Sequence, residues 1–277
     1  MAKFFHQEAG MIREPVVAGR FYQGTAAGLR AEVARYVDEK RKKCRAIGIV
    51  SPHAGFMYSG PAAGAAFSAV NLPDTFVILG PNHTGYGKPG AIQTTGAWKT
   101  PLGTVKIDEA LGKAILSGSD FLEEDEIAFA SEHSIEVQLP FIQYFKKEFS
   151  FVPICLGTAQ LSHLTDTGEA IAKAVKHLKK EVLLVASSDM SHYEPQADAE
   201  RKDKSALEAI LNMDEKLLLK KVAAENISMC GFGPVSSVLV AGRALGAKSA
   251  KLVKYMTSGD TSGDYSAVVG YAAVAIE

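Results

Sequence analysis

Short apolar runs that each end in a polar turn are the strongest pattern along the chain. Three of them are followed by a histidine: residues 47–50 before His53, residues 76–79 before His83, and residues 182–186 before His192. Runs of this length, rich in Val, Ile and Leu, are typical of buried strands. Ligands of open α/β sheets bind at the carboxyl ends of such strands. The pattern therefore predicts one site on the rim of a sheet, with histidines converging on it.

Segments with helical spacing alternate with these strands. Residues 162–180, 198–211 and 214–225 carry apolar positions three and four apart, which predicts helices. Residues 90–107 and the end of the chain suggest short strands that pair antiparallel. Alternation of this kind is typical of a sheet covered by helices on both faces. We expect a single three-layer α/β/α domain around a mixed β-sheet over residues 13–277, preceded by a flexible leader at 1–12.

The composition excludes some classes of partner but does not identify a function. The chain of 277 residues is 47% hydrophobic and 22% charged, and its 30 basic and 31 acidic residues leave a net charge of −1. Such a balance argues against nucleic acid and membrane surfaces as partners, and no apolar run approaches the roughly 18 residues of a membrane helix. Three cysteines without paired spacing are typical of free thiols, so we expect a cytoplasmic protein.

His53 and His83 form the first candidate site. They are 83 − 53 = 30 residues apart, about one β-α-β unit, which predicts neighbouring strand ends. Two neutral imidazoles at such a position make half of a site for Fe, Zn, Cu or Ni. The alternative is that both rings satisfy turn backbone. The matching turns, each with a nearby proline, favour the metal.

Cys230 and His192 offer further chemistry. Cys230 precedes a glycine-rich helix entry, where thiolate is favoured, and it could complete a His/His/Cys site. It could also be a small buried cysteine, or a nucleophile with His192 as its base in a metal-free thiol enzyme. His192 suits a general acid or base, and Asp189 could orient it or a ligand. The alternative for this pair is a polar turn capped by its own side chains.

Four further residues are candidates for supporting the ligands or contacting a substrate. Glu132 and His133 open a predicted helix, where a carboxylate also has a capping role. Tyr58 and Asn82 stand in the same turns as His53 and His83. We place His133 below the strand-end histidines as a candidate.

Taken together, several segments resemble the Memo family, whose prokaryotic members are often called AmmeMemoRadiSam system protein B. The segments are Arg13–Tyr22, Pro52–Gly60, Leu79–Gly85, Glu132–Pro140, Ser187–His192 and Thr257–Asp260. The resemblance implies a fold like that of class III extradiol ring-cleaving dioxygenases, which hold iron with two histidines and a glutamate. His53 and His83 match those histidines, Cys230 falls where the Memo family replaces the carboxylate, and His192 matches the dioxygenase base.

The resemblance also implies cofactors and partners. Fe(II) is the first expectation, with Cu or Zn as alternatives, and the activity would be that of a non-haem, dioxygenase-like oxidoreductase. Eukaryotic relatives are described as binders of phosphotyrosine peptides, so a binding module for an anionic or phosphorylated peptide or a protein partner is the rival hypothesis. The prokaryotic name also implies a radical-SAM partner. The ligand itself, a small molecule or a peptide, is not predicted.

Overall fold

The computed structural model describes residues 11–277 and consists of strands and helices in alternation. The strands are β1 (Ile12–Arg13), β2 (Gly48–Ser51), β3 (Thr75–Pro81), β4 (Gly90–Ile92), β5 (Ala97–Thr100), β6 (Gly103–Ile107), β7 (Glu123–Glu124), β8 (Ser150–Leu156), β9 (Leu183–Ser187), β10 (His192–Glu194), β11 (Ala250–Thr257) and β12 (Val268–Ile276). The helices are α1 (Ala26–Ala34), α2 (Phe56–Ala69), α3 (Glu109–Leu116), α4 (Leu139–Phe145), α5 (Leu161–Leu178), α6 (Gln196–Leu211), α7 (Glu215–Ala224), α8 (Phe232–Leu245) and α9 (Gly259–Ser262).

The strands form one mixed sheet, as predicted. Its order is β1-β5-β6-β8-β3-β9-β2-β12-β10, with β11 added on β12 and β4 and β7 beside β8. The centre, β8-β3-β9-β2, is parallel, whereas β12 runs antiparallel to β2 and β11 antiparallel to β12. The four central strands therefore bring their carboxyl ends to the same edge.

Helices cover both faces of this sheet. Along β3, Phe76 and Ile78 belong to the core shared with α1, α2 and α4, while Val77 and Leu79 belong to the core shared with α5, α6 and α8. Side chains of a strand alternate between faces, so a strand that is apolar throughout must be buried on both. The α/β/α class with a mixed sheet is confirmed. None of the described helices is long and apolar enough to cross a membrane.

One expectation about the strands is wrong. His53 and His83 do not follow neighbouring strands, because β9 lies between β2 and β3. The position of β9 between β2 and β3 matters for the site. Ser187 at the end of β9 and Asp189 in the loop that follows both contact His53. Most of the predicted leader lies outside the described residues, but Ile12, at its end, pairs with Ala97 as part of β1.

A buried carboxylate fastens the amino-terminal segment beneath the site. Glu136, in a 3-10 turn before α4, is fully buried and accepts hydrogen bonds from Arg13, the backbone N–H groups of Val16 and Val17, and the Tyr22 hydroxyl. The Pro140 that follows falls within the first turn of α4, so the segment forms a 3-10 turn and a separate helix, as the proline predicts.

Candidate metal centre

Three histidines meet at the carboxyl edge of the sheet. One ring nitrogen from each of His53, His83 and His133 lies within 4.8 Å of the other two. Within the described residues, this is the group of His, Cys, Asp and Glu side chains close enough to hold a metal ion. The sequence predicted the first two as ligands; the structure adds His133 to them.

The His53 ring is buried and held on one side. Its Nδ1 lies 2.8 Å from the Ser187 hydroxyl, and its backbone N–H donates to Asp189 at 2.8 Å. Burial lowers the pKa of His53 well below its usual value, and the neighbouring histidines add to this effect. The ring is therefore neutral near pH 7, which is the form that binds metals.

His83 is held by a buried carboxylate. Glu132 accepts from the backbone N–H of His83 at 2.7 Å and from its Nδ1 at 2.9 Å. The same carboxylate accepts from the backbone N–H groups of His133 and Ser134. Burial alone would raise the pKa of Glu132, but the hydrogen bond and charge of His83 together with the backbone donors lower it to about 2. Glu132 thus fixes the orientation of His83 and leaves Nε2 free.

His133 stacks on His83. The two ring centroids are 4.7 Å apart and the planes differ by 17°, whereas His53 and His83 cross at 78°. A metal binds in the plane of an imidazole, along the nitrogen lone pair. The ring planes of His53 and His83 cross, and those of His53 and His133 cross in the same way at 82°, whereas the stacked planes of His83 and His133 do not. Burial keeps His133 neutral by lowering its pKa.

Cys230 lies beside His53 but outside the group of three histidines. Its Sγ lies 3.2 Å from His53 Nε2, and the helix α8 begins two residues later. Burial raises the pKa of Cys230, and the carboxylate of Asp189 adds to the effect. Without a metal the group is therefore a thiol, not the thiolate that its position before a helix suggested. All three cysteines of the chain are free, and Cys155 is buried in β8.

Of the two roles that the sequence allowed for Asp189, the structure places it on the candidate ligand His53 and not on His192. Asp189 is directed at His53, while the Nδ1 of His192 lies 2.9 Å from the Ser228 carbonyl and its backbone N–H donates to the Ser228 hydroxyl. A ring Nδ1 beside a carbonyl oxygen must carry a proton, so in the neutral ring of His192 the acceptor is Nε2. Burial raises the pKa of Asp189 to about 6, against hydrogen bonds from backbone N–H groups.

His53, His83, His133, Asp189 and His192 line a cavity of about 620 Å³, whose lining does not include Cys230. Its lining residues are Phe21, His53, Ala54, Gly55, Tyr58, His83, His133, Asp189, His192, Tyr193, Ser258, Ser262, Asp264, Ala267, Val269 and Tyr271. Tyr58 lies on this wall. Asn82 does not: its side chain closes the turn after β3 by bonding Thr84, Gly85 and Tyr86.

Two supporting residues were missed in the sequence. Gln138 and Ser187 are fully buried and bond to each other next to His53. The sequence does contain an indication of Gln138. Glu136 and Gln138 are polar residues in an otherwise apolar segment, Ile135–Leu139, and buried polar side chains need hydrogen-bond partners. Their partners are distant in sequence, so the partners could not be named.

Gly231 sets the distance between Cys230 and the sheet. A Cβ at this position would lie 2.4 Å from the Ser187 carbonyl oxygen and 2.4 Å from Ser188 Cβ. Gly231→Ala should therefore displace the start of α8 and cost about 1–3 kcal/mol of unfolding free energy, and it should weaken metal binding by moving Cys230. Gly118→Ala, where the nearest atom is 3.4 Å away, is the control. Equal denaturation midpoints and metal affinities for the two variants would contradict this account.

Known proteins resemble this chain over nearly its whole length. A family profile described as "Memo-like protein" matches residues 13–275. The chain belongs to the Memo-like family. A MEMO1 family protein of Methanococcoides burtonii is 44% identical over 96% of this chain and 100% of its own length. A MEMO1 family protein of Methanopyrus kandleri is 42% identical over 95% of this chain and 98% of its own.

One solved structure extends the comparison of folds. An uncharacterized protein of Escherichia coli K12 superposes on this Memo-like chain with a TM-score of 0.53 at 12% identity, covering 83% of this chain and 100% of its own. At that identity the likeness concerns the fold alone.

Proposed function

We propose that this Memo-like protein binds a redox-active transition metal on His53, His83 and Cys230 and uses it to oxidise a small substrate. Fe(II) is the first choice and Cu the redox-active alternative; Zn suits the same ligands but has no redox chemistry, so zinc in the site would exclude the oxidation. The observation that carries the proposal is the crossing of the His53 and His83 rings at 78°, with each Nδ1 engaged in a hydrogen bond. With Nδ1 engaged, each ring leaves its Nε2 available for an ion.

Cys230 is the third ligand of this proposal in preference to His133. Its Sγ lies beside His53 Nε2, and binding a metal would release the thiol proton and supply a negative charge. His133 lies parallel to His83 and so is poorly aimed at a shared ion. We assign it to the cavity wall, where its ring can contact the substrate.

In the proposed reaction the metal and the protein have different roles. When bound, such a metal supplies an open coordination position for oxygen or substrate. His192 stands on the cavity wall, and its Nδ1 lies beside the Ser228 carbonyl oxygen, so Nε2 is the acceptor of the neutral ring. It can accept the proton of a substrate hydroxyl group, the role of a general base.

The charges of the cavity select its substrate. Asp189 and Asp264 line it, and the lining residues that the structure describes include neither Lys nor Arg. Aromatic side chains, among them Phe21, Tyr58 and Tyr271, form much of the wall. A neutral or cationic aromatic hydroxyl compound fits these surroundings better than an acid. The same charges disfavour a phosphorylated peptide, and the protonated Cys230 disfavours the metal-free thiol enzyme.

Oxygen consumption tests the proposal. Protein reconstituted with Fe(II) without air should take up oxygen with catechol and more slowly with the acid protocatechuate. His192→Gln should keep its metal and lose about 10²-fold or more in rate, the usual effect of removing a general base. Lys216→Gln, exposed on α7, is the control. An unchanged rate in His192→Gln would contradict the role of His192, and no uptake with any aromatic diol would favour a binding module.

A further inference from the structure

Gln138 has its amide orientation settled by its neighbours. The nitrogen Nε2 lies 3.0 Å from the Pro52 carbonyl oxygen and 2.8 Å from the Ser187 hydroxyl. A carbonyl oxygen can only accept, so the amide end facing it must be the N–H donor. The other N–H of the same nitrogen then points at Ser187. Gln138 is fully buried, which removes competition from bulk water.

The hydroxyl proton of Ser187 is donated to the Ser134 carbonyl oxygen and not to His53. The Ser187 Oγ lies 2.6 Å from the Ser134 carbonyl oxygen, which again can only accept. The hydroxyl must donate there, and one of its two lone pairs already accepts from Gln138. A single acceptor position remains, and the group facing it is His53 Nδ1 at 2.8 Å.

His53 must therefore carry its proton on Nδ1. A neutral imidazole has one N–H. Because the Ser187 hydroxyl can only accept a hydrogen bond from His53, the N–H of the ring must be at Nδ1. Nε2 is left as a lone pair, with Cys230 Sγ at 3.2 Å. The thiol of the metal-free protein can then donate to Nε2, and the same lone pair is available to a metal.

We propose that Gln138 and Ser187 are positioning residues that hold His53 in the Nδ1–H tautomer and so keep Nε2 ready for the metal. Neither residue lines the cavity. The inference rests on the proposed metal site, but the tautomer is a property of the protein without metal. The pair does for His53, without a charge, what the Glu132 carboxylate does for His83.

The test reads the tautomer directly. The two-bond nitrogen–proton correlation spectrum of histidine-labelled, metal-free protein distinguishes Nδ1–H from Nε2–H. The His53 signals are identified by their loss in His53→Ala. We expect Nδ1–H in the wild type. In Ser187→Ala the proton should move to Nε2, since a buried Nδ1–H without an acceptor is costly. Gln138→Met should give a mixture, because the freed Ser187 hydroxyl can rotate and donate to Nδ1.

Metal affinity gives the second measurement. Competition with a chelator should show Fe(II) binding weakened about 10–100-fold in Ser187→Ala, the usual range for a lost hydrogen bond behind a ligand, and less in Gln138→Met. Ser187→Thr keeps the hydroxyl and should keep both tautomer and affinity. Ser236→Ala, another fully buried serine, and Gln143→Met, on α4, are matched controls that should behave as wild type.

Two outcomes overturn the inference. One is a wild-type His53 that carries its proton on Nε2. The other is a tautomer that stays on Nδ1 in both Ser187→Ala and Gln138→Met. If Ser187→Ala does not fold, Gln138→Met alone decides. A wild type with the Nδ1–H tautomer that binds no metal would refute the proposed function while leaving the positioning role standing.

Discussion

Glu136→Ala should lower the free energy of unfolding by about 3–5 kcal/mol, the range for removing one partner of a buried ion pair. The substitution leaves the Arg13 guanidinium, two backbone N–H groups and the Tyr22 hydroxyl without their acceptor. The segment that they anchor carries Phe21, whose ring packs edge-on against His133 at 4.8 Å. Urea denaturation followed by circular dichroism measures the loss.

Glu109→Ala is the matched control for this effect. Glu109 pairs with Lys113 one helical turn away, and both side chains are more than half exposed. Exposed pairs of this kind contribute about 0.3–0.5 kcal/mol. If Glu136→Ala were no more destabilising than Glu109→Ala, the amino-terminal segment would not be held as the structure shows.

Glu132→Ala should lower both stability and metal affinity. The carboxylate is fully buried and accepts from His83 twice and from the backbone of His133 and Ser134. Hydrogen bonds to a charged group contribute about 1.5–3 kcal/mol each, so we expect a loss of at least about 3 kcal/mol. Because His83 loses the acceptor for Nδ1–H, metal affinity should fall about 10–100-fold.

Two measurements separate these effects of Glu132. Thermal unfolding of metal-free protein reports the stability, and chelator competition on the folded variant reports the affinity. Glu123→Ala, which removes an exposed partner of Lys88, should change neither. A Glu132→Ala variant that unfolds earlier but binds metal as tightly as wild type would show that the carboxylate holds the fold and not the ligand.

Local patterns were enough to predict the sheet and part of the site. His53 and His83 follow apolar runs that could only be buried strands, and strand ends of a parallel sheet share an edge. The order of strands did not follow from the sequence, because the pairing of β9 between β2 and β3 depends on contacts more than 100 residues apart along the chain. The expected adjacency of the two histidines' strands failed for that reason.

The supporting contacts were harder to predict than the ligands. Gln138 reaches Pro52 and Ser187 over sequence separations of 86 and 49 residues, and no local pattern encodes such pairs. His133 was placed behind the other histidines because a helix start explains its neighbour Glu132 by capping. In the structure Glu132 caps the backbone of His133 and Ser134 and also bonds His83.

Metal content is the measurement that tests the central claim most directly. Protein purified without air should contain close to one equivalent of iron or copper, and His53→Ala, His83→Ala and Cys230→Ser should each lose it while remaining folded. His133→Ala should keep most of it, because its stacked ring is poorly aimed at the ion. Metal retained in both His53→Ala and His83→Ala, or none in the wild type after anaerobic reconstitution, would contradict the site. Metal lost in His133→Ala but kept in Cys230→Ser would replace the thiolate with a third histidine.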